Sequence, residues 1–411
     1  MDAREQRGLV IAATARNIRR KSDHLWTVPS SQGAGHPAYH VNPEKKTCTC
    51  LDHQEAGHFC KHLFAVKYTI EREYSDDGIV MTEKESLTVQ TTRKTYTQDW
   101  RNYNLAQTNE KAKFQMLLRG LYDGLHGPKQ IGRGCRMIPL DDAIFAAVFK
   151  VYSTVSGRRF MCDLKDSHEK GYINRVPCYN SIFNVLESEK TTAVLESLIA
   201  ESATPLKAIE TTFAIDSSGF SGCRFDKWFD QKWGELKSKR AWVKAHVMTG
   251  VKTNVVTSVT VTDENGGDSP QLQPLMNQTN QRFTIKDFTA DMAYLSEDNL
   301  KAIAAIGATP LIPFKRNSVA ARPGIWDRMF HYFSFNREEF LARYHQRSNV
   351  ESTFSMIKAK FGDSVRSKTD TAMRNEALAK ILCHNICCLI SAMYELGIDP
   401  SFWANHKTDV A

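Results

Sequence analysis

The hydrophobic period changes near residue 211, and that change bounds what the chain can fold into. From 109 to 205 apolar residues recur at helical spacing. The best segment is "PLDDAIFAAVFKVYSTVSG", with Pro139 before an acidic first turn and Gly157 near its end. A second, "RVPCYNSIFNVLES", has Pro177 near its start. From 211 onward "TTFAIDSSGF", "AWVKAHVMTG", "TNVVTSVTVTDENGG" and "FTIKDFTADMAYLS" read as strands punctuated by Gly, Asn and Asp. Residues 296–307 return to helix, "TPLIPFKRN" is a short strand, and two helices close the chain at about 337–361 and 371–396. A chain of 411 residues has room for two or three domains, each with its own core. The expected divisions are 1–75, a linker or arm over 76–108, a helical domain over 109–205, and a strand-rich domain with its terminal helix over 206–411.

The first division carries a metal-ligand spacing. Residues 24–41, "HLWTVPSSQGAGHPAYHV", read as two short strands around a Ser/Gly-rich turn. Cys48, Cys50, Cys60 and His62 follow as C-x-C-x9-C-x-H. Three thiolates and an imidazole are the donors that tetrahedral zinc prefers. A C-x-C pair after a hairpin, closed by C-x-H at a helix start, presents them compactly. His53 and His58 are spare imidazoles that can substitute. The stretch 24–70 resembles the SWIM zinc finger, a module associated with both nucleic-acid and protein contacts.

Lys and Arg number 54 against 46 Asp and Glu, a net charge of +8. This mild basic excess suits a polyanionic partner. It is uneven: residues 84–136 hold ten Lys/Arg against four acids. The opening "MDAREQRGLVIAATARNIRRK" lacks the apolar core of a signal peptide, and no uninterrupted apolar stretch approaches the roughly 20 residues of a membrane span. Ten cysteines, three of them within fifteen residues, suit a reducing compartment better than a disulfide framework. A soluble intracellular protein is expected.

Two strand-borne acids then stand out. Asp216 follows the apolar run of "FAIDSSGF", where a strand would end, and Asp291 repeats the arrangement in "FTADMAYLSEDN". Asp287, Asp298, Asp226 and Asp230 are near competitors. Further on, "YHQRSNVESTFSMIKAKFG" places Tyr344, Arg347, Glu351 and Lys358 at offsets 0, 3, 7 and 14. On a continuous helix these four fall within roughly 60° of one another. Val350, Phe354, Ile357 and Phe361 form the adjoining apolar stripe, the buried side. An ordinary amphipathic helix with an Arg347–Glu351 ion pair would show the same stripe.

The combination is similar to the DDE transposases of bacterial insertion sequences. "DSSGF", "KAHVMTG", "DSPQL", "TADMAYLS" and "LIPFKRN" recur in the expected order between 211 and 396. The closing helix matches the Y-x2-R-x3-E-x6-K signature of one group of them. The resemblance implies an α/β fold, an RNase H-like mixed sheet flanked by helices. It implies that Asp216, Asp291 and Glu351 hold two Mg²⁺ or Mn²⁺ ions, the hard cations that carboxylate oxygens suit. It implies too that Tyr344, Arg347 and Lys358 grip the DNA end. Two departures stand beside it. Only 60 residues separate Asp291 from Glu351, too few for the β-rich insertion some relatives carry, and the zinc finger lies outside the usual pattern.

Residues 109–205 resemble the helical region that helps such enzymes bind terminal inverted repeats. Its recognition helix is expected at 177–187, with Asn180, Ser181 and Asn184 reaching DNA and Arg158 and Arg159 contacting phosphate. The expected partners are double-stranded DNA, as element ends and target, and a second copy of the chain, paired through the apolar helix 371–396. The expected setting is the nucleoid of a prokaryotic cytoplasm. A DNA-binding regulator without cleavage and a plain metal-dependent nuclease are the alternatives.

Overall fold

The computed structural model of the chain describes residues 3–14, 18–22, 24–30, 38–73, 99–125, 138–222, 242–315, 317–320 and 323–403. It divides into two units, Met1–Thr97 and Gln98–Ala411. Asp226 and Asp230, most of the expected linker and the turn at 31–37 lie outside the described residues.

The first unit is a small α/β module. Helix α1 (Ala3–Thr14) precedes strands β1 (Arg19–Ser22), β2 (Leu25–Val28), β3 (Tyr39–Asn42) and β4 (Thr47–Cys48), joined antiparallel in chain order. Helices α2 (Leu51–Ala56) and α3 (Lys61–Glu73) follow. Trp26, Val28, Val41, Leu63 and Val66 form its core together with the three cysteines. Gly57 ends α2 in the left-handed region at φ 62, which glycine adopts without steric cost. Helix α1 was not legible from its charged sequence. It packs so closely on α3 that a β-carbon on Gly8 would lie 2.3 Å from that of Phe64. The Tyr68 hydroxyl donates to Glu5 across the same contact at 2.7 Å.

The second unit begins with helices α4 (Trp100–Thr108), α5 (Glu110–Tyr122), α6 (Leu140–Ser153), α7 (Gly157–Glu169), α8 (Tyr179–Glu187) and α9 (Glu189–Ala203). Residues 100–108, expected in the linker, are therefore helical. Gly157 opens α7 rather than closing α6, which ends on Thr154 at φ 55. A five-stranded sheet follows: β5 (Thr212–Ser221), β6 (Trp242–Gly250), β7 (Val256–Thr262), β8 (Asp287–Thr289) and β9 (Thr309–Leu311). Its order is β7-β6-β5-β8-β9, with β7, β6 and β5 antiparallel and β5, β8 and β9 parallel. Phe213, Ala214 and Ile215 are all buried, as a central strand covered on both faces requires.

Helices α10 (Leu272–Asn280), α11 (Glu297–Ala305), α12 (Ile325–Phe335), α13 (Arg337–Tyr344), α14 (Ser348–Phe361) and α15 (Asp370–Glu395) complete the unit. The helix expected over 337–361 is two helices joined by a 3-10 turn at His345–Arg347. Helix α15 is the one described helix long and apolar enough to cross a membrane, and it is buried in the protein. Its Asn385 amide donates to Ile199 O (3.2 Å), Ser202 Oγ (2.9 Å) and Val256 O (2.7 Å) and accepts from Val256 N (2.8 Å). That one side chain ties α15 to α9 and to the edge strand β7. No break in packing marks 205/206: one core runs through the helices at 100–203, the sheet and α15. The expected pairing of two copies through 371–396 is corrected by the same fact, because the apolar face of α15 is spent inside its own subunit.

Candidate active site and metal centre

Asp216 lies in the middle of β5, not at its end as its place after an apolar run suggested. On one side β5 stays paired with β6 across Asp216↔Val247 and on to Ser221↔Trp242. On the other side β8 stops at Thr289, opposite Ala214. Carried two residues past that last pair, the parallel register brings Asp291 beside Asp216. The sheet thus opens a notch flanked by the two acids. Asp291 itself caps the turn Met292–Tyr294, accepting from Ala293 N at 2.7 Å.

Glu351 enters from the first turn of α14. Arg347, just ahead of it, spans both sides: one guanidinium nitrogen donates to Asp216 Oδ2 at 3.2 Å, the other to Glu351 Oε1 at 2.5 Å. Burial raises the Asp216 pKa, and the charges of Asp291 and Glu351 raise it further, against the pull of Ser217 N and Arg347. Asp216 thus feels the charge of both other acids. Carboxylate oxygens are the hard donors that a divalent cation takes. The competitors are elsewhere. Asp287, about 13 Å back along the extended chain at 3.3 Å per residue, is paired with Arg343. Asp298 is exposed in the first turn of α11.

The other two members of the Y-x2-R-x3-E-x6-K signature differ in setting. Tyr344 ends α13 and stacks on Phe340 at 6.2 Å between centroids. Lys358 is half-buried. Its ammonium donates to Ser218 Oγ at 2.6 Å and lies over the Phe220 ring, and burial lowers its pKa. Ser218 shares a face of β5 with Asp216, two residues away, so the lysine's charge stands beside the acids.

Behind the opposite face lies a network that the sequence did not reveal. Asp268 accepts from Ser217 Oγ at 2.7 Å, while Lys244 Nζ and His246 Nδ1 approach it at 2.7 and 3.3 Å. Burial alone would raise its pKa, but Lys244 and Ser217 hold it below the ordinary value. His246 is buried and kept neutral by that burial. Tyr294 is buried nearby, its hydroxyl without a hydrogen-bond partner among the described residues. Burial pushes its pKa up, and the fields of Asp268, Asp216 and Asp291 add to that.

In the first unit the expected ligands converge. One donor atom from each of Cys48, Cys50, Cys60 and His62 lies within 4.8 Å of the others, all four residues buried. Strand β4 carries Cys48, Cys50 precedes α2, and Cys60 and His62 straddle the start of α3. His62 Nδ1 is 3.8 Å from Cys48 Sγ, and its Nε2 has no partner among the described residues. The Cys48 thiol lowers the pKa of Cys60, and His62 adds to this; Cys48 moves up in return. Buried thiols competing for protons, beside an unsatisfied imidazole, fit a structural zinc. The spare imidazoles stay outside, His53 bonding His58 O at 2.7 Å.

In the helical region Asn180 and Asn184 are exposed on α8, whereas Ser181 is half-buried against Cys178 Sγ at 3.2 Å. Arg158 and Arg159 are exposed at the start of α7, Arg158 lying 5.4 Å from the Tyr179 ring.

The strand order, three antiparallel strands followed by two parallel ones, with helices on the flanks, makes the second unit an RNase H-like α/β domain. The transposase DDE domain family matches residues 207–386, and the SWIM zinc finger family matches residues 39–71. The chain carries a transposase DDE domain and an N-terminal SWIM zinc finger. No curated protein matches it.

Proposed function

We propose that this protein is a DNA transposase that binds the terminal inverted repeats of its element, cleaves at the ends and joins them to target DNA. Asp216, Asp291 and Glu351 would hold two divalent ions, Mg²⁺ or Mn²⁺. Bound there, such ions activate the attacking oxygen and neutralise the leaving one in an in-line displacement at phosphorus. The observation that supports the reading is the register that sets Asp291 beside Asp216 where β8 stops, with Arg347 joining Asp216 to Glu351.

The chain's own residues do the rest. Arg347, freed from its two carboxylates, has the planar fork that binds phosphate bidentately. Lys358 supplies a fixed positive charge beside β5, and Tyr344 offers a hydroxyl or a ring to the strand next to it. Arg158, Arg159, Asn180, Ser181 and Asn184 would meet the repeat, where phosphate contacts supply most sequence-independent affinity. Two ends in one assembly call for a homodimer, formed through a surface other than α15. Work on chromosomal DNA puts the protein at the nucleoid of a prokaryotic host.

The test is Asp216→Ala, Asp291→Ala and Glu351→Ala, each assayed for end binding, nicking and joining with magnesium. All three variants should bind ends as the unaltered protein does and neither nick nor join. Full activity in Asp291→Ala would overturn the assignment. Wild-type binding without nicking would point to a regulator, and nicking without joining to a nuclease.

A further inference from the structure

A cavity of about 440 Å³ opens between the end of α6, the start of α7, α8, the segment after α14 and the start of α15. It lies apart from the carboxylates. Its size is that of a small-ligand pocket. One side is apolar: Val151, Leu186, Phe361 and Ala372, with the ring of Phe183, 40% exposed. Gly157 lets that ring lie against α7, since a β-carbon there would come within 2.8 Å of it. The other side is charged.

Four cations and two anions line the cavity, but most of the inner ones are already engaged. The Glu376 carboxylate accepts from the backbone N–H groups of Arg366 and Ser367 and from the Ser367 hydroxyl. The Lys380 ammonium donates to the carbonyls of Gly362 and Ser364 at 3.0 and 2.7 Å. Lys150, Arg366 and Lys368 are the remaining cations of the lining, with Glu187 its second acid; Arg366 also donates to Val155 O at 3.3 Å. Lys150 is 8% exposed, and its ammonium makes no hydrogen bond or ion pair among the described residues. Burial lowers its pKa and Arg366 repels it, while the charge of Glu376 pulls the other way. An ammonium in so confined a place is poorly hydrated, and an anion in the cavity would pair with it. Arg366 and Lys368 stand exposed beside it on a segment stitched to β5: Val365 N donates to Ser221 O at 2.9 Å, and Ser221 N to Asp363 O at 3.2 Å.

We propose that this cavity binds one nucleotide unit, with its phosphate on Lys150, Arg366 and Lys368 and its base against Phe183 and the apolar wall. An inorganic anion would satisfy Lys150 and leave the apolar wall wet. A nucleoside would cover the wall and leave the ammonium unpaired. A nucleotide does both, and aromatic rings take any base by stacking. The unit is either one residue of a bound DNA strand, which rests on the transposase reading, or a free mononucleotide, which does not.

The first titrations, made without DNA, use calorimetry on the full chain with thymidine 5′-monophosphate, thymidine and inorganic phosphate. The monophosphate should bind at least about tenfold more tightly than either fragment, the gain expected from one charge-assisted bond. Lys150→Met should erase the preference for the monophosphate over thymidine. Lys368→Ala, at an exposed position that leaves the fold intact, should weaken the monophosphate several-fold. Melting curves confirm that both variants are folded. Displacement of the monophosphate by a short single strand assigns the site to DNA; persistence of binding beside the strand assigns it to the free nucleotide. Equal binding of phosphate and monophosphate, or unchanged binding in both variants, overturns the proposal. Monophosphate binding in a protein that nicks nothing would keep the pocket and lose the transposase.

Discussion

Arg347 stands between two acids, so removing it should show what holds the site together without any ion. Its bond to Asp216 joins groups that are 19% and 23% exposed, while Glu351 is 58% exposed. A hydrogen bond between charged groups in partly buried surroundings contributes about 1.5–3 kcal/mol. The arm to Glu351, an i,i+4 pair near solvent, adds less than about 0.5 kcal/mol. Arg347→Ala should therefore cost about 2–3 kcal/mol at neutral pH in magnesium-free buffer. For a unit this large that is roughly 2 °C of melting temperature per kcal/mol, or about 4–6 °C. The pH dependence has a definite sign. The Asp216 pKa is raised in the folded protein, so the folded state binds more protons than the unfolded one above the ordinary carboxylate value. Stability falls as pH rises through that window. Without the guanidinium the window extends upward, so the deficit should be large at neutral pH and shrink in acid. Magnesium should then stabilise the variant more than the unaltered protein, since the cation no longer competes with Arg347 for the same oxygens. Differential scanning fluorimetry across pH, with and without magnesium, reads all three effects. An isolated surface pair predicts a loss below about 0.5 kcal/mol, flat with pH and indifferent to magnesium. That result would refute the reasoning.

Two further outcomes follow from the rest of the molecule. Elemental analysis should find one zinc per chain, and Cys60→Ser should lose it; in zinc-finger peptides the metal supplies about 10–16 kcal/mol of folding energy, so chelation should unfold the first unit while the second keeps its melting transition. Asn385→Ala strands the Val256 amide and carbonyl in the core, which should cost about 3 kcal/mol or more in chemical denaturation; a loss under about 1 kcal/mol would mean that α15 is held without it.

The parts of this architecture that were legible in the sequence are those with local signals. The zinc ligands are fixed by spacing within one short stretch, and the change of period at 211 marked the sheet because β5, β6 and β7 are long and β7 is almost wholly β-branched. Helix α10 was missed because Pro274 reads as a breaker, although in a first turn its absent N–H costs nothing. The break at His345–Arg347 was hidden because a 3-10 turn keeps near-helical angles and leaves the apolar stripe intact. Lys244, His246 and Asp268 lie in the stretches "KAHVMTG" and "DSPQL", but neither stretch shows that they meet, since the contacts that join them and Ser217 span 22 to 51 residues. Asp216 and Asp291 were found as acids after apolar runs, but what brings them together is a register between strands, which no single segment records.

That register rests on little. Strand β8 has three residues, and a single alanine, Ala290, separates its end from Asp291. Because side chains alternate across a strand, one residue inserted or deleted there would turn Asp291 to the opposite face and leave every carboxylate in the sequence untouched. The fold, the finger and the basic surface would survive such a change; the chemistry would not. On the transposase reading proposed above, a lineage of this protein could thus pass from cutting DNA to merely holding it through one codon's gain or loss, with no acidic residue altered.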